Sequence, residues 1–284
     1  VRGEKASLLF SSFHSMIRRS IPTWLFAALS VAGVVICLAT YAGLSKRQTA
    51  INPEQTAFPW VGEFQEGWTK ITKTNGTEDR PKPPYIFRDL RATYWRLFLG
   101  LSIGISLSIV LGVAMGAYRW LEAPLMPAIS FLSKIPPTAM MPIYFVIVGT
   151  DQTMFASMIA LGIFFTMAQA VYQAARKDVR DAAIQKAYTL GASEAEVLYE
   201  VLWKQILPRV IETIRLQIGP AMVFLLAAEM LVGGEGMGYR IRMESRLLNM
   251  SIVYIYLAIL GFSGLLFEWI LVGLRRWLCP WFGE

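Results

Sequence analysis

Along this chain, long apolar runs alternate with short polar ones. Trp24–Leu44, Leu97–Tyr118 and Met154–Tyr172 carry no charge, Ile252–Leu274 carries only Glu268, and Ile206–Val232 is apolar apart from Arg209, Glu212, Arg215 and Glu229. Each has about the 20 residues that a helix needs to cross a hydrocarbon core of about 30 Å. A sixth run, Ala123–Gly149, is long enough but is interrupted by Lys134 and by several prolines, Pro136 and Pro137 among them. None shows the period-two alternation of a membrane barrel strand. In lipid every backbone N–H and C=O must find a partner within the protein, so such runs fold as helices. The pattern therefore predicts an all-α integral membrane protein with about six transmembrane helices. The first run is too long for the apolar part of a signal peptide, and no convincing small-residue cleavage pattern follows it, so it reads as a retained helix.

The polar stretches divide the chain further. Residues 1–23, with Arg18 and Arg19, form a basic lead-in to the first transmembrane helix at 24–44. Residues 45–94 form the longest polar stretch, punctuated by Pro53, Pro59, Asn75-Gly76 and the Pro81–Pro84 cluster, and they lead into a core at 95–276. Phe64, Trp68 and Ile71 stand at helical spacing, which predicts a short surface helix inside that stretch. The triplet Asn75-Gly76-Thr77 matches a glycosylation sequon, a pattern too common by chance to carry weight. Residues 173–205 form a second polar segment and 277–284 a short tail. An even number of crossings puts both termini and 173–205 on one side and 45–94 on the other. Lys and Arg are modestly more numerous on the first side, and long loops count least in that comparison, so the termini are expected in the cytoplasm.

Composition agrees with a lipid solvent: 55% of residues are hydrophobic and only 17% charged, against about a quarter charged in soluble domains. In such a chain the net charge of +7 points to anionic lipid headgroups rather than to nucleic acid. Cys37, Cys279 and the single His14 have no metal-ligand spacing, and Met140, Met141, Met154, Met158 and Met167 read as packing residues. No P-loop, nucleophile elbow, HExxH or dinucleotide fingerprint occurs, so the chain is not expected to be an enzyme, to hold a metal or to bind a cofactor of its own.

The polar segment 173–205 carries the most specific signal. It is rich in Ala, Glu and Lys, lacks proline and reads as two short helices broken at Gly191. Glycine admits a backbone conformation that other residues resist. Ser193 followed by Glu196 is the pattern of a capping box. Two short helices meeting at a glycine make a compact knob suited to docking on a soluble partner; an ordinary amphipathic loop helix would show the same periodicity.

This segment resembles the coupling loop, or EAA loop, of ABC-transporter importer permeases, and in particular the family serving nitrate, bicarbonate, taurine and alkanesulfonates. Leu190-Gly191-Ala192-Ser193 matches the family's Leu-Gly-Ala-Ser. Ala92-Thr93-Tyr94-Trp95-Arg96 with Gly100 is similar to its Ala-Thr-x-x-Arg opening, and Ile135-Pro136-Pro137-Thr138-Ala139 with Pro142 to its Ile-Pro-x-x-Ala-x-x-Pro segment. Arg215, Glu229 and Glu268 fall where the family has an arginine, a glutamate and often an aspartate. The chain departs from the family where Gln185-Lys186-Ala187 replaces Glu-Ala-Ala and Trp203-Lys204 replaces Leu-Pro. The resemblance covers about residues 90–276. It implies a type I importer permease fold, with Gln185, Lys186, Ala187, Leu190, Gly191, Ala192 and Ser193 meeting a cytoplasmic ABC ATPase that holds ATP and Mg. It also implies a second permease copy, most simply as a homodimer, an extracytoplasmic solute-binding protein and a bacterial inner membrane. Related permeases serve small anions, and others serve aromatic vitamin precursors.

Within the membrane, Lys134 falls near the middle of the third run, beside a proline pair that removes two backbone donors and should break the helix. A broken helix with a cation at the midplane is a common way to build a solute site. Lys134, Pro136, Pro137 and Glu229 are thus candidates for the translocation pathway, and Arg215 and Glu268 for structural charge inside the membrane. Alternatively, Lys134 only neutralises Glu229 or Glu268. A self-sufficient channel or secondary carrier would need inverted repeats or coupling-ion carboxylates within the spans, and neither stands out.

Overall fold

The computed structural model describes residues 22–51, 61–73 and 83–282. The basic lead-in with His14, Arg18 and Arg19, the prolines Pro53, Pro59 and Pro81, and the Asn75-Gly76-Thr77 triplet lie outside the described residues. The chain forms two compact units, Val1–Pro59 and Trp60–Glu284. The described part of the first unit is one helix, α1 (Thr23–Ile51), whose stretch Ala28–Arg47 is long and apolar enough to cross a membrane.

In the second unit, α2 spans Val61–Thr72, α3 Tyr85–Ala117, α4 Arg119–Leu132, α5 Met141–Ile147 and α6 Gln152–Lys177. There follow α7 (Asp181–Thr189), the 39-residue α8 (Glu194–Val232), α9 (Met237–Arg246) and α10 (Met250–Leu278). The helix entering the core begins at Tyr85, ten residues ahead of the expected boundary at 95, directly after Pro83-Pro84, with Pro84 at its N-cap.

The packing of α3 on α6 organises this unit. Gly100, Gly104, Ser108, Gly112 and Gly116 recur every fourth residue and make one stripe along α3. A Cβ on Gly100 would stand 2.6 Å from Ile159 Cβ, one on Gly112 2.7 Å from Val171 Cβ, and one on Gly116 2.4 Å from Ala175 Cβ. The Ser108 hydroxyl donates across the seam to the Phe164 carbonyl at 3.1 Å. Inside a bilayer apolar side chains gain nothing by leaving lipid for protein, so helices associate through close backbone approach of this kind. The stripe covers about 24 Å of helix at 1.5 Å per residue. The apolar stretch of α6 is 61% buried, against 33% for α3 and 22% for α10, which makes α6 the central helix.

Sequence positions rise together along the seam, so α3 and α6 run parallel. The chain between them must therefore return through the membrane, although none of its helices is long enough to cross alone. That return is α4, a bend at Ser133–Pro136, a 3-10 turn at Pro137–Met140 and α5. The third apolar run is thus a crossing broken at the proline pair, as expected. With α8 and α10 the unit has five crossings, and α1 supplies a sixth candidate span. The fold is all-helical among the described residues.

Two expectations change. The polar segment 173–205 does not hold two separate short helices: the second is the opening of α8, joined to the span through a π-helical stretch at Val197–Trp203. Buried Leu202 anchors that stretch in a cluster with Val171, Ala174 and Ile206, and Val197 is buried as well. The helix containing Phe64, Trp68 and Ile71 exists as α2 but is not a free surface helix. Ile71 is 2% exposed and packs with Ile86, Ile252 and Tyr256, while Trp68 faces outward at 50% exposure.

The seam predicts a sharp contrast between glycines. Gly104→Ala would set a Cβ 2.8 Å from Ile163 and 2.9 Å from the Ala160 carbonyl oxygen, an overpacking that costs about 1–3 kcal/mol. Gly261 has nothing within 4 Å. Thermal unfolding of the purified protein should show a lower midpoint for Gly104→Ala and none for Gly261→Ala. Equal midpoints would show that the seam does not hold the fold.

Candidate functional site

Three assemblies of polar residues stand out on this frame: a buried cluster at the Tyr85 end, the exposed segment 181–204 at the opposite end, and the break in the third crossing.

In the cluster, α3 contributes Asp89, Thr93 and Arg96, which lie on one face because they are four and three residues apart. All three are buried, as is Glu229 near the end of α8, which is fully inaccessible. The Glu229 carboxylate accepts from Arg96 Nη1 at 2.8 Å, from Thr93 Oγ1 at 2.9 Å and from the Gly238 amide at 2.9 Å. Arg96 also donates from Nε to Gln152 at 2.7 Å and from Nη1 to the Glu235 carbonyl at 2.9 Å, and its guanidinium lies over the Phe155 ring. The Met237 amide donates to Thr93 Oγ1 at 2.8 Å. Asp89 accepts from Arg240 Nε at 2.9 Å, from the Tyr256 hydroxyl at 3.0 Å and from the Gly236 amide at 3.3 Å.

The glycines of the Gly233–Gly238 turn explain how α9 comes so close. Gly236 has φ +117°, which disfavours any side chain, and a Cβ there would stand 2.4 Å from Glu229 Oε1. The free amides at the start of α9 then point at carboxylates, where the helix dipole favours negative charge. The cluster thereby ties α3, α6, α8, α9 and α10 together. Glu229, expected on the pathway beside Lys134, is instead walled in by Arg96, Thr93 and Gly238. Sequence reasoning passed over Asp89, Gln152, Arg240 and Tyr256. The signal available for them was the Asp89–Thr93–Arg96 stripe inside an otherwise apolar helix.

At the other end, α7 finishes in a Schellman turn: the Ala192 amide donates to the Ala187 carbonyl at 3.1 Å and the Gly191 amide to Tyr188 at 3.0 Å. Gly191 has φ +83°. Ser193 then caps α8, its amide donating to Glu196 Oε2 at 2.7 Å and its hydroxyl accepting from the Glu196 amide at 3.4 Å, which completes the capping box. Gln185, Lys186 and Gly191 are exposed, Ala187 and Ala192 are half-buried, and Leu190 at the tip is 88% exposed. An apolar tip on a doubly capped turn has the form of a docking knob, and its second arm continues directly into α8.

At the break, Pro137 opens the 3-10 turn and Lys134 lies in the bend before it. Lys134 is exposed in the single chain and has no carboxylate partner among the described residues. Within the described residues neither glutamate meets it: buried Glu229 pairs with Arg96, and exposed Glu268 with Arg215 at 3.7 Å. Arg215 also meets Glu212 at 3.3 Å, and Glu212 meets Arg275 at 3.2 Å, so these charges link α8 to α10 toward the end that carries 181–204. Among the described residues no group of acidic, His and Cys side chains has the form of a metal site.

Residues 104–281 match the family of binding-protein-dependent transport system inner membrane components. Among curated proteins, the taurine transport system permease protein TauC of Escherichia coli is 30% identical over 70% of this chain and 72% of its own length. The nitrate import permease protein NrtB of Synechocystis is 25% identical over 72% and 73% of the two chains. Among solved structures, an inward-facing form of the MetNI methionine ABC transporter aligns with a TM-score of 0.55, covering 68% of this chain and 94% of that one at 18% identity.

The buried cluster generates a test. Removing one member of a buried ion pair costs about 3–5 kcal/mol, because the partner's charge remains without compensation. Arg96→Met and Glu229→Gln should each lower the thermal midpoint of the purified protein strongly. The double variant should lose much less than the sum of the two. Strict additivity would show that the pair is not a coupled unit.

Proposed function

The chain belongs to the family of binding-protein-dependent transport system inner membrane components, and from that premise we propose that it carries a small anion inward through a pathway shared with a second, identical copy. Membership makes it a multi-pass inner-membrane permease of an ABC importer that binds no cofactor. Nucleotide is hydrolysed on a separate ATPase subunit, and a solute-binding protein is a further partner.

In this reading the segment around Gln185, Lys186, Ala187, Leu190, Gly191, Ala192 and Ser193 docks on the ATPase, so that end and the chain termini are cytoplasmic. What supports it is the geometry of the knob: an exposed leucine on a turn capped from both sides, rigidly continuous with a membrane-crossing helix. The replacement of Glu-Ala-Ala by Gln185-Lys186-Ala187 leaves both caps formed, because they use backbone amides, Gly191 and Ser193.

One observation carries the anion reading. Lys134 sits at the break of the third crossing with no carboxylate partner among the described residues. A cation facing a narrow, poorly polarisable cavity attracts an anion far more strongly than it does in water. The curated relatives named for taurine and nitrate transport agree with a small anionic or sulfonate-bearing solute. The Pro136–Pro137 pair holds the bend open by removing two amide donors.

Two measurements test this. Leu190→Glu should leave membrane insertion intact and abolish the stimulation of ATP hydrolysis by solute-loaded binding protein, because a charge replaces the apolar tip. Full stimulation in that variant would overturn the docking role. Lys134→Met keeps the length of the side chain and removes its charge. Vesicles holding this variant should still retain the ATPase but take up taurine or nitrate about tenfold more slowly, equivalent to about 1.4 kcal/mol. Undiminished uptake would show that the lysine neither binds nor steers the solute.

A further inference from the structure

At the coupling end, a cleft of about 470 Å³ is lined by Asp178, Arg180, Ala183, Gln205, Arg209, Trp281 and Phe282. It is built where α6 ends, α7 begins, α8 starts toward the membrane and α10 has just ended, which is the level of one membrane surface. Two guanidinium groups face one carboxylate. Arg209 Nε meets Asp178 Oδ2 at 3.4 Å, while Arg180 has no ion pair among the described residues. The opposite wall is aromatic: Trp281 and Phe282 are 58% and 55% exposed, and Trp277 on the last turn of α10 is 78% exposed. Buried Cys279 and the bond from the Phe282 amide to its carbonyl, at 3.1 Å, hold that wall in a turn.

Cations beside exposed tryptophan and phenylalanine, at the level where spans leave the bilayer, form the pattern of an interfacial lipid contact. The cytoplasmic leaflet is the anionic one, and basic pockets between helices on that side accept lipid headgroups. We propose that this cleft binds the headgroup of an anionic phospholipid of the cytoplasmic leaflet, its phosphate between Arg180 and Arg209 and its chains along Trp281, Phe282 and the end of α10. The site opens beside the first turn of α7, so a bound lipid steadies the base of the coupling knob. The proposal rests on the cytoplasmic placement of that knob and is independent of the solute.

The test uses the purified permease–ATPase complex. After exchange from membranes rich in phosphatidylglycerol, native mass spectrometry counts the retained lipid. Arg180→Gln/Arg209→Gln and, separately, Trp281→Ala should retain about tenfold less phosphatidylglycerol than the parent. Arg91→Gln/Arg246→Gln, which removes two exposed cations at the other end, should retain the parental amount. In nanodiscs, adding phosphatidylglycerol to phosphatidylcholine should raise the thermal midpoint of the parent and not of the double variant. Equal retention in all variants would overturn the proposal. So would displacement of the lipid by millimolar inorganic phosphate, which would mark a small-anion site, or loss of the ATPase from the double variant, which would mark a protein contact. Retention reads the lipid site and uptake reads the solute, so the two proposals fail separately.

Discussion

The ion pair of Arg96 with Glu229 is the contact on which the upper half of this molecule depends. Both groups are out of water, so each is tolerable only because the other is present and because further hydrogen bonds surround the pair. Glu229 accepts from Arg96, Thr93 and Gly238, and Arg96 donates to Glu229, Gln152 and the Glu235 carbonyl. The geometry requires the start of α9 to press against the carboxylate, which is why glycine occupies positions 233, 236 and 238, where a Cβ would meet Glu229 or the backbone beside it. A second buried pair, Asp89 with Arg240, lies about two turns away along α3. Five helices are thereby locked at one end of the bundle.

Below that clamp the grip changes character. The α3–α6 seam is made of small residues and has no charge, so it depends on the absence of side chains rather than on attraction between them. Toward the coupling end polar contacts return, with Arg215, Glu212, Glu268 and Arg275 joining α8 to α10. The third crossing is held unevenly: Met141 and Tyr144 of α5 are buried in the core, whereas α4 is mostly uncovered. Only Ile129 of α4 is buried, and its tethers include Glu122 to Tyr172 and Arg176, and Ser133 to Gln169. The second unit is thus a closely packed frame of α3, α6, α8 and α10 with a broken crossing, lightly tethered through α4, beside it.

Much of this was legible in the sequence because it is set by rules local in the chain. Apolar run length fixed the crossings, since a bilayer admits only helices long enough to span it. The Pro136–Pro137 pair announced the break, since proline lacks the amide a helix requires. Gly191 and the Ser193–Glu196 pair announced the knob, whose caps involve residues within five positions of each other. The order of motifs along about two-thirds of the chain revealed the family. The partners of charged groups were decided only by the tertiary structure. Sequence leaves Glu229 equally able to meet Lys134, Arg96 or Arg215. Only the folded bundle, which brings residue 96 to within 2.8 Å of residue 229, makes the choice. The α3–α6 seam was likewise a visible period of small residues whose meaning required a facing helix. The α2 helix became part of the core only because Ile71 found Ile252 and Tyr256 some 180 residues later in the chain. Local chemistry specifies elements, whereas pairing across the bundle is a property of which faces the packed helices present to one another.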